Sequence, residues 1–182
     1  MKTTFAKEAM NLNKLKALIR DVPDFPKKGI IFKDITPLLG DAEAFCQAIE
    51  QLATPYLENP PDVVVGVESR GFIFSAPLAH RLKSGLVPIR KFGKLPRATF
   101  DEAYDLEYGR SILSLHQDAI HRGQKVLIVD DLLATGGTLS AVLKLLRKIP
   151  AEVIGIAFLI ELSFLKGRES LPNVPIHSLI TY

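Results

Sequence analysis

The chain reads as an α/β domain built on a mostly parallel sheet with helices on both of its faces. Three observations predict this. Asp62–Val67, Lys125–Asp130 and Glu152–Ile160 are short runs with no polar face, as expected of strands buried on both sides. Segments with helical spacing of apolar residues alternate with those runs, the pattern of parallel strands joined by crossover helices. The strongest strand leads through a glycine pair directly into a helix, and in such sheets ligands bind at the carboxyl ends of the strands.

The elements follow in order. Leu15, Ala17, Leu18 and Ile19 mark an N-terminal helix over Asn13–Arg20, and Val22–Ile31 is a loop rich in Pro and Gly. Asp41 is placed to cap a second helix running to about Tyr56. Cys46 falls in the apolar pattern of Phe45, Ala48 and Ile49 and is expected to be a small buried hydrophobe. Asp62–Val67 is a strand and Gly71–Leu82 a helix. Leu86–Arg90 is a short strand, which Pro88 assigns to an edge or an irregular end. Residues 91–124 are polar, hold Gly93, Pro96, Gly109 and Gly123, and show only patchy alternation around Tyr104–Leu115. So long an excursion reads as a lid or flap. Lys125–Asp130 is the clearest strand. Thr138–Arg147 follows as a helix with Leu139, Val142, Leu143, Leu145 and Leu146 on its apolar side. Glu152–Ile160 and Ile176–Ile180 complete the sheet.

The totals fit one domain over residues 1–182, with 47% apolar and 24% charged residues. A net charge of +3 is too mild to argue for nucleic acid and suits a small anionic substrate equally well. The single cysteine excludes an internal disulfide and fits a reducing compartment. No apolar run approaches the ~18–20 residues of a membrane span, and the first residues lack the apolar core of a signal peptide. A cytoplasmic protein is expected. The four histidines (His80, His116, His121 and His177) show no metal-ligand spacing.

The chemistry concentrates in Val126–Thr138, VLIVDDLLATGGT. Gly136 and Gly137 let the backbone turn tightly and bring its N–H groups up to an anion. The following helix points its positive end at the same place, and Thr135 and Thr138 can add hydroxyl donors. Asp130 and Asp131 would repel a phosphate but suit the 2′- and 3′-hydroxyls of a ribose, with or without Mg2+. Ala134–Thr138 is therefore read as a phosphate anchor and Asp130–Asp131 as a ribose clamp. Taken alone, the glycine loop could be only a strand–helix turn. It lacks the lysine of a Walker loop and the Gly-x-Gly-x-x-Gly of a dinucleotide site. Glu68-Ser69-Arg70-Gly71 also follows a buried strand. Arg70 offers a planar fork of donors for pyrophosphate oxygens, or is a surface arginine paired with Glu68. Arg90, Lys91 and Lys94 set three cations in five residues, either anion contacts or a solvated loop.

Together these segments resemble the phosphoribosyltransferases that use 5-phosphoribosyl 1-pyrophosphate (PRPP), and within them the adenine-specific family. Asp24–Pro37 resembles the family's base-binding motif, Glu68–Phe72 its pyrophosphate loop and Leu106-Glu-Tyr-Gly109 its flexible catalytic loop. Glu161–Glu169 fits the C-terminal motif. The likeness spans about Asp24 to Tyr182. It implies a type I, Rossmann-like fold with a small N-terminal base-binding hood at about residues 1–37 and a flap at about 91–124. It implies transfer of phosphoribose from PRPP to adenine in a cytoplasmic homodimer, with no nucleic acid or membrane partner. It also implies a role for each site residue. Glu107 and Arg70 are catalytic. Ala134, Thr135, Gly136, Gly137 and Thr138 bind the 5′-phosphate, and Asp130 and Asp131 the ribose. Glu68, Ser69, Arg70, Lys91 and Lys94 bind pyrophosphate, with a non-proline cis peptide at Glu68–Ser69. Ile31, Phe32, Lys33, Leu132 and Tyr108 bind adenine, although Phe32 read alone is a core aromatic and relatives often have Arg where Lys33 stands. Mg2+ is held mainly by the substrate, near Asp130 and Asp131. The rivals are a transferase for another base, a PRPP-sensing regulator without turnover and a plain dinucleotide-binding fold. The base motif, the short segment before it and the missing glycine fingerprint argue against them in turn.

Overall fold

The computed structural model describes residues 12–106, 109–171 and 173–182. The chain divides into two compact units, Met1–Ala48 and Ile49–Tyr182.

In the first unit, α1 covers Leu12–Ala17 and buries only Leu15. The expected helix over Asn13–Arg20 is shorter because Arg20 opens a strand. β1 (Arg20–Pro23) pairs antiparallel with β2 (Ile31–Asp34) from Arg20↔Asp34 to Pro23↔Ile31. The Val22–Ile31 loop is thus the mouth of a hairpin. Its tip is closed by the Gly29 N–H donating to Asp24 Oδ1 (2.7 Å) and the Phe25 N–H to the Ile30 carbonyl (3.3 Å). Gly29 has φ +90°, a conformation in which a side chain is strained. Asp34 Oδ1 then accepts the Thr36 N–H (2.9 Å), and α2 (Thr36–Gly40) follows with Pro in its first turn. Asp41 caps α3 (Ala42–Ala53) as expected, accepting the Ala44 N–H at 2.9 Å. A 3-10 turn, Thr54–Tyr56, ends it. The expectation for Cys46 is overturned, for it is exposed. The buried stripe of α3 runs through Ala44, Ala48, Ile49, Leu52 and Ala53. Cys46 lies about 200° around the helix from both Ala44 and Ala48, turned away from their face.

The second unit is a seven-stranded sheet of order β5 (Thr99–Leu106), β6 (Gly109–His116), β4, β3, β7, β8 and β9. β3 is Val63–Val67, β4 Gly85–Lys91, β7 Lys125–Leu133, β8 Glu152–Glu161 and β9 Ile176–Thr181, and neighbours among these are parallel. α4 (Gly71–Leu82) packs on β3, β4 and β7, and α5 (Gly137–Arg147) on β5 and β6. Val63, Val65, Val67, Val126 and Ile128 join the α5 residues Leu139, Val142 and Leu146 in one core cluster. Val64, Leu127 and Val129 are also buried and, by strand alternation, face the other side. This double burial is why β3 and β7 read as unbroken apolar runs.

Two strand expectations change. β4 is an inner strand, not an edge, yet β6 pairs with it only at Arg90 and Lys91. Beside Pro88 the ladder is formed on the β3 side alone, so the missing N–H costs no sheet hydrogen bond on the open side. The polar segment 91–124 contains β5 (Thr99–Leu106) and β6 (Gly109–His116), an antiparallel hairpin registered from Thr99↔His116 to Leu106↔Gly109. Among the described residues no helix is long and apolar enough to cross a membrane.

Candidate active site

A cleft of about 300 Å3 opens at the carboxyl edge of the second unit's sheet, lined by Glu68, Ser69, Arg70, Lys91, Tyr104, Ser111, Asp130, Asp131 and Thr138. Each arrives on a rigid element. β3 ends at Val67 and delivers Glu68, Ser69 and Arg70 just before α4. β4 ends at Lys91. Tyr104 and Ser111 are cross-strand partners on the β5–β6 hairpin. Thr138 lies in the first turn of α5. The peptide between Glu68 and Ser69 is cis, as the resemblance implies.

The strand expected over Lys125–Asp130 runs three residues further. β7 continues to Leu133, with Asp130 opposite Phe158 and Leu133 opposite Glu161 on β8. Its pairing with β3 stops at Val129, so the two aspartates stand where one neighbour has ended and the cleft begins. Gly71 makes this possible. A Cβ there would lie 2.8 Å from Asp130 Oδ1 and 3.0 Å from the Val129 carbonyl. The first turn of α4 therefore rests directly on β7.

The charges are mutually engaged. Arg70 Nη2 lies 2.8 Å from Asp131 Oδ2, and the Asp131 side chain is buried. Glu68 Oε2 accepts Arg90 Nε (3.0 Å) and the Lys91 backbone N–H (2.7 Å). Burial by itself would raise the Glu68 carboxyl. The Arg90 and Lys91 hydrogen bonds and charges outweigh it and hold the group below the usual carboxylate range. Asp130 goes the other way. Burial and then the charge of Asp131 push it well above that range, although Asp131's own N–H donates to its Oδ1 at 2.9 Å. Burial also raises Asp131, against the opposing charge of Arg70.

Next to the carboxylates, Ala134, Thr135 and Gly136 form the turn into α5. Gly136 is the N-cap with φ 86° and ψ −2°, a left-handed conformation that calls for glycine. The Ser140 N–H donates to the Gly136 carbonyl (2.9 Å). The first N–H groups of such a helix have no intrahelical partner, and the first turn carries no acidic residue that would neutralise its positive end.

Of the site residues expected from sequence, Glu68, Ser69, Arg70, Lys91, Asp130, Asp131 and Thr138 share the cleft. Lys94 is exposed beyond β4 and does not line it, and Arg90 is turned to Glu68 and over the Phe72 ring at 5.8 Å. Leu132 is half-buried opposite Ile160. In the first unit, Ile31 is 56% exposed, and Phe32 is half-buried and meets Phe25 edge-on at 5.1 Å. Lys33 is buried, its Nζ donating to Asp21 Oδ1 on the paired strand at 2.6 Å. Glu107 and Tyr108 lie outside the described residues. Tyr104 and Ser111 were not expected; their signal was the weak alternation around Tyr104–Leu115. No group of three or more His, Cys, Asp or Glu that could hold a metal occurs among the described residues.

Residues 38–172 match the family model of the phosphoribosyl transferase domain. The adenine phosphoribosyltransferase of Acidobacterium capsulatum is 52% identical over 174 residues, 96% of each chain. The crystal structure of adenine phosphoribosyltransferase from Thermoanaerobacter pseudethanolicus is similar with a TM-score of 0.91 and 52% identity, over 94% of this chain and 100% of that one. The Saccharomyces cerevisiae adenine phosphoribosyltransferase, complexed with D-2,5-dideoxy-2,5-imino-altritol 1,6-bisphosphate and adenine, gives a TM-score of 0.87 and 39% identity, over 92% and 97%.

Proposed function

The chain belongs to the adenine phosphoribosyltransferase family: it transfers the 5-phosphoribosyl group of PRPP to adenine, giving AMP and pyrophosphate, and we propose that it does so at the cleft around Arg70, Asp130 and Asp131. One observation carries the placement. The Arg70 guanidinium lies 2.8 Å from Asp131, whose neighbour Asp130 lines the same cleft at the carboxyl end of β7, just before the N-terminus of α5. PRPP offers each a partner: pyrophosphate oxygens for Arg70, ribose hydroxyls for Asp130 and Asp131, and a 5′-phosphate for the Ala134–Thr138 loop.

Bond breaking at C1′ leaves positive character on the sugar and negative charge on the departing pyrophosphate. Positioning and electrostatic stabilisation then supply most of the catalysis. Arg70 and Lys91 stabilise the leaving group, with Glu68 and Ser69 shaping the loop that receives it, and Lys94 adds positive charge beyond β4 without lining the cleft. The two carboxyl groups orient the ribose, and the negative charge of the pair favours the cationic sugar. In this reading Ile31, Phe32 and Lys33, with Leu132 and Tyr108, receive adenine, where an aromatic ring can stack on the base. Glu107 takes or shares a proton at the purine imidazole edge as N9 attacks. Closure of the flap excludes water, which would hydrolyse PRPP wastefully.

The cleft fits a Mg2+ carried by the substrate. Two adjacent carboxylates open onto it, and the described residues build no all-protein cage. When bound, Mg2+ would be held mainly by the substrate, near Asp130 and Asp131, and would neutralise charge on the pyrophosphate oxygens. The same reading takes the enzyme to be a cytoplasmic homodimer, which sedimentation of the purified protein would check.

The test of specificity is an acceptor panel. With PRPP and Mg2+, adenine, hypoxanthine, guanine, xanthine and orotate are offered in turn. Adenine should give the highest kcat/KM; a better rate with any other base overturns the base assignment.

A further inference from the structure

The turn after β8 has no part in the reaction above, yet it presses on the loop proposed to hold the 5′-phosphate. The Leu162 N–H donates to the Leu133 carbonyl (2.9 Å), tying the start of this turn to the end of β7. Ser163–Leu165 and Gly167–Ser170 are 3-10 turns joined at Lys166. Gly167 is buried against Ala134, the first residue of the loop. A Cβ built on Gly167 would collide with the Ala134 carbonyl oxygen and stand 3.1 Å from Leu133 Cδ1. The backbone of Gly167 is not in the left-handed region, so the close approach, and not φ, calls for glycine.

Arg168 holds Gly167 in that place. Its Nε and Nη2 fork onto the two oxygens of Glu161 at 2.6 Å each. Its Nη1 donates to the Ile176 carbonyl (3.1 Å), and Nη2 also reaches Ser178 Oγ (3.2 Å). Glu161 is buried at the end of β8, so the fork joins the turn to the rigid part of the sheet. The consequence for the loop is geometric. In a trans peptide the carbonyl and the next N–H point in opposite directions. With the Ala134 carbonyl against Gly167, the Thr135 N–H points away from Gly167.

We infer that Gly167, held by the Arg168–Glu161 fork, is a positioning residue that sets the Ala134–Thr135 peptide plane and so aims the loop's N–H donors at the 5′-phosphate. This rests on the reading of Ala134–Thr138 as the 5′-phosphate site. Gly167→Ala and Thr138→Ala are compared with the parent protein by steady-state kinetics in both substrates, AMP calorimetry and thermal melting. Gly167→Ala should raise KM for PRPP and weaken AMP about tenfold while KM for adenine stays within about twofold, since the displaced N–H donors would face the 5′-phosphate and not the base. Thr138→Ala should weaken the same two ligands. If only Thr138→Ala does so, Gly167 is mere packing and the inference is overturned, whatever happens to melting. If neither does, the phosphate reading itself has failed. Should Gly167→Ala not fold, Arg168→Ala should show the same selective loss and Arg168→Lys recover part of it. Equal losses for PRPP and adenine would overturn the inference.

Discussion

The guanidinium of Arg70 stands 2.8 Å from the carboxylate of Asp131, so the groups proposed to meet two different parts of PRPP neutralise each other in the free protein. Substrate must replace the pair and not merely join it. Arg70→Ala leaves a buried carboxylate without its cation. Because the Arg70 side chain is about one-third exposed, the cost in stability should be about 1–3 kcal/mol, below that of a fully buried pair. The double variant Arg70→Ala/Asp131→Asn should be more stable than Arg70→Ala alone. In kinetics, Arg70→Ala should raise KM for PRPP and leave KM for adenine nearly unchanged. Urea denaturation and initial rates check both, and additive losses in the double variant would count against the coupling.

Asp130 predicts a pH effect of opposite sign to that of most carboxylates. Burial and the charge of Asp131 raise its pKa in the folded protein. The folded state therefore keeps a proton that the unfolded chain releases near pH 4. The stability from that proton is complete below about pH 4 and is lost as the pH rises through the raised folded value. Asp130→Asn removes Asp130's part of this dependence and leaves that of Asp131, which burial also raises. It should match the parent protein near pH 4 and gain in relative stability toward about pH 8, while losing activity. Glu68 and Glu161, held low in the folded state, act oppositely but equally in both proteins. Melting temperatures measured across that range check it; a constant difference would sink the assignment.

Where burial is two-sided the fold was legible: α4 has the expected bounds Gly71–Leu82, and β3 matches its apolar run to within a residue. The β5–β6 hairpin was not. Phe100, Tyr104, Leu113 and Leu115 turn toward the core, but the strands between them are held partly by charge, Glu102 pairing with Lys144 (3.7 Å) and Lys148 (3.0 Å) on α5. Such strands look like loop. The β1–β2 hairpin was hidden because its pairing depends on turn contacts of Asp24 and Gly29. In the site, each cleft aspartate and the pyrophosphate loop could be named from strand-to-helix junctions. Their pairings, Arg70 with Asp131 and Glu68 with Arg90, could not, because they join residues that only the sheet order brings together.

Glu107 lies in sequence between Leu106 and Gly109, the last paired residues of the β5–β6 hairpin. If it handles the proton at the purine, Glu107→Ala should lower kcat about 10²–10⁴-fold and change PRPP affinity little. Single-turnover rates at saturating PRPP, with calorimetry for PRPP, measure the two effects separately. A near-normal kcat removes Glu107 from the chemistry.

Gly71 is where a single methyl group tests whether α4 and β7 position the site together. Its added Cβ would lie 2.8 Å from Asp130 Oδ1 and 3.0 Å from the Val129 carbonyl. Neither atom is the free end of a flexible chain: one belongs to the central ladder, and the other accepts the Asp131 N–H at 2.9 Å. Alanine normally improves a helix by up to about 1 kcal/mol over glycine. Here overpacking against backbone should outweigh that gain and give a net loss of about 1–2 kcal/mol. Relief requires the start of α4 to move away from β7, which takes Arg70, the α4 N-cap, away from Asp131. Gly71→Ala should therefore raise KM for PRPP more than KM for adenine, and its effect should not add to that of Arg70→Ala. Denaturation and a four-protein kinetic cycle measure this. Full additivity would mean that the helix start and the acidic pair act independently.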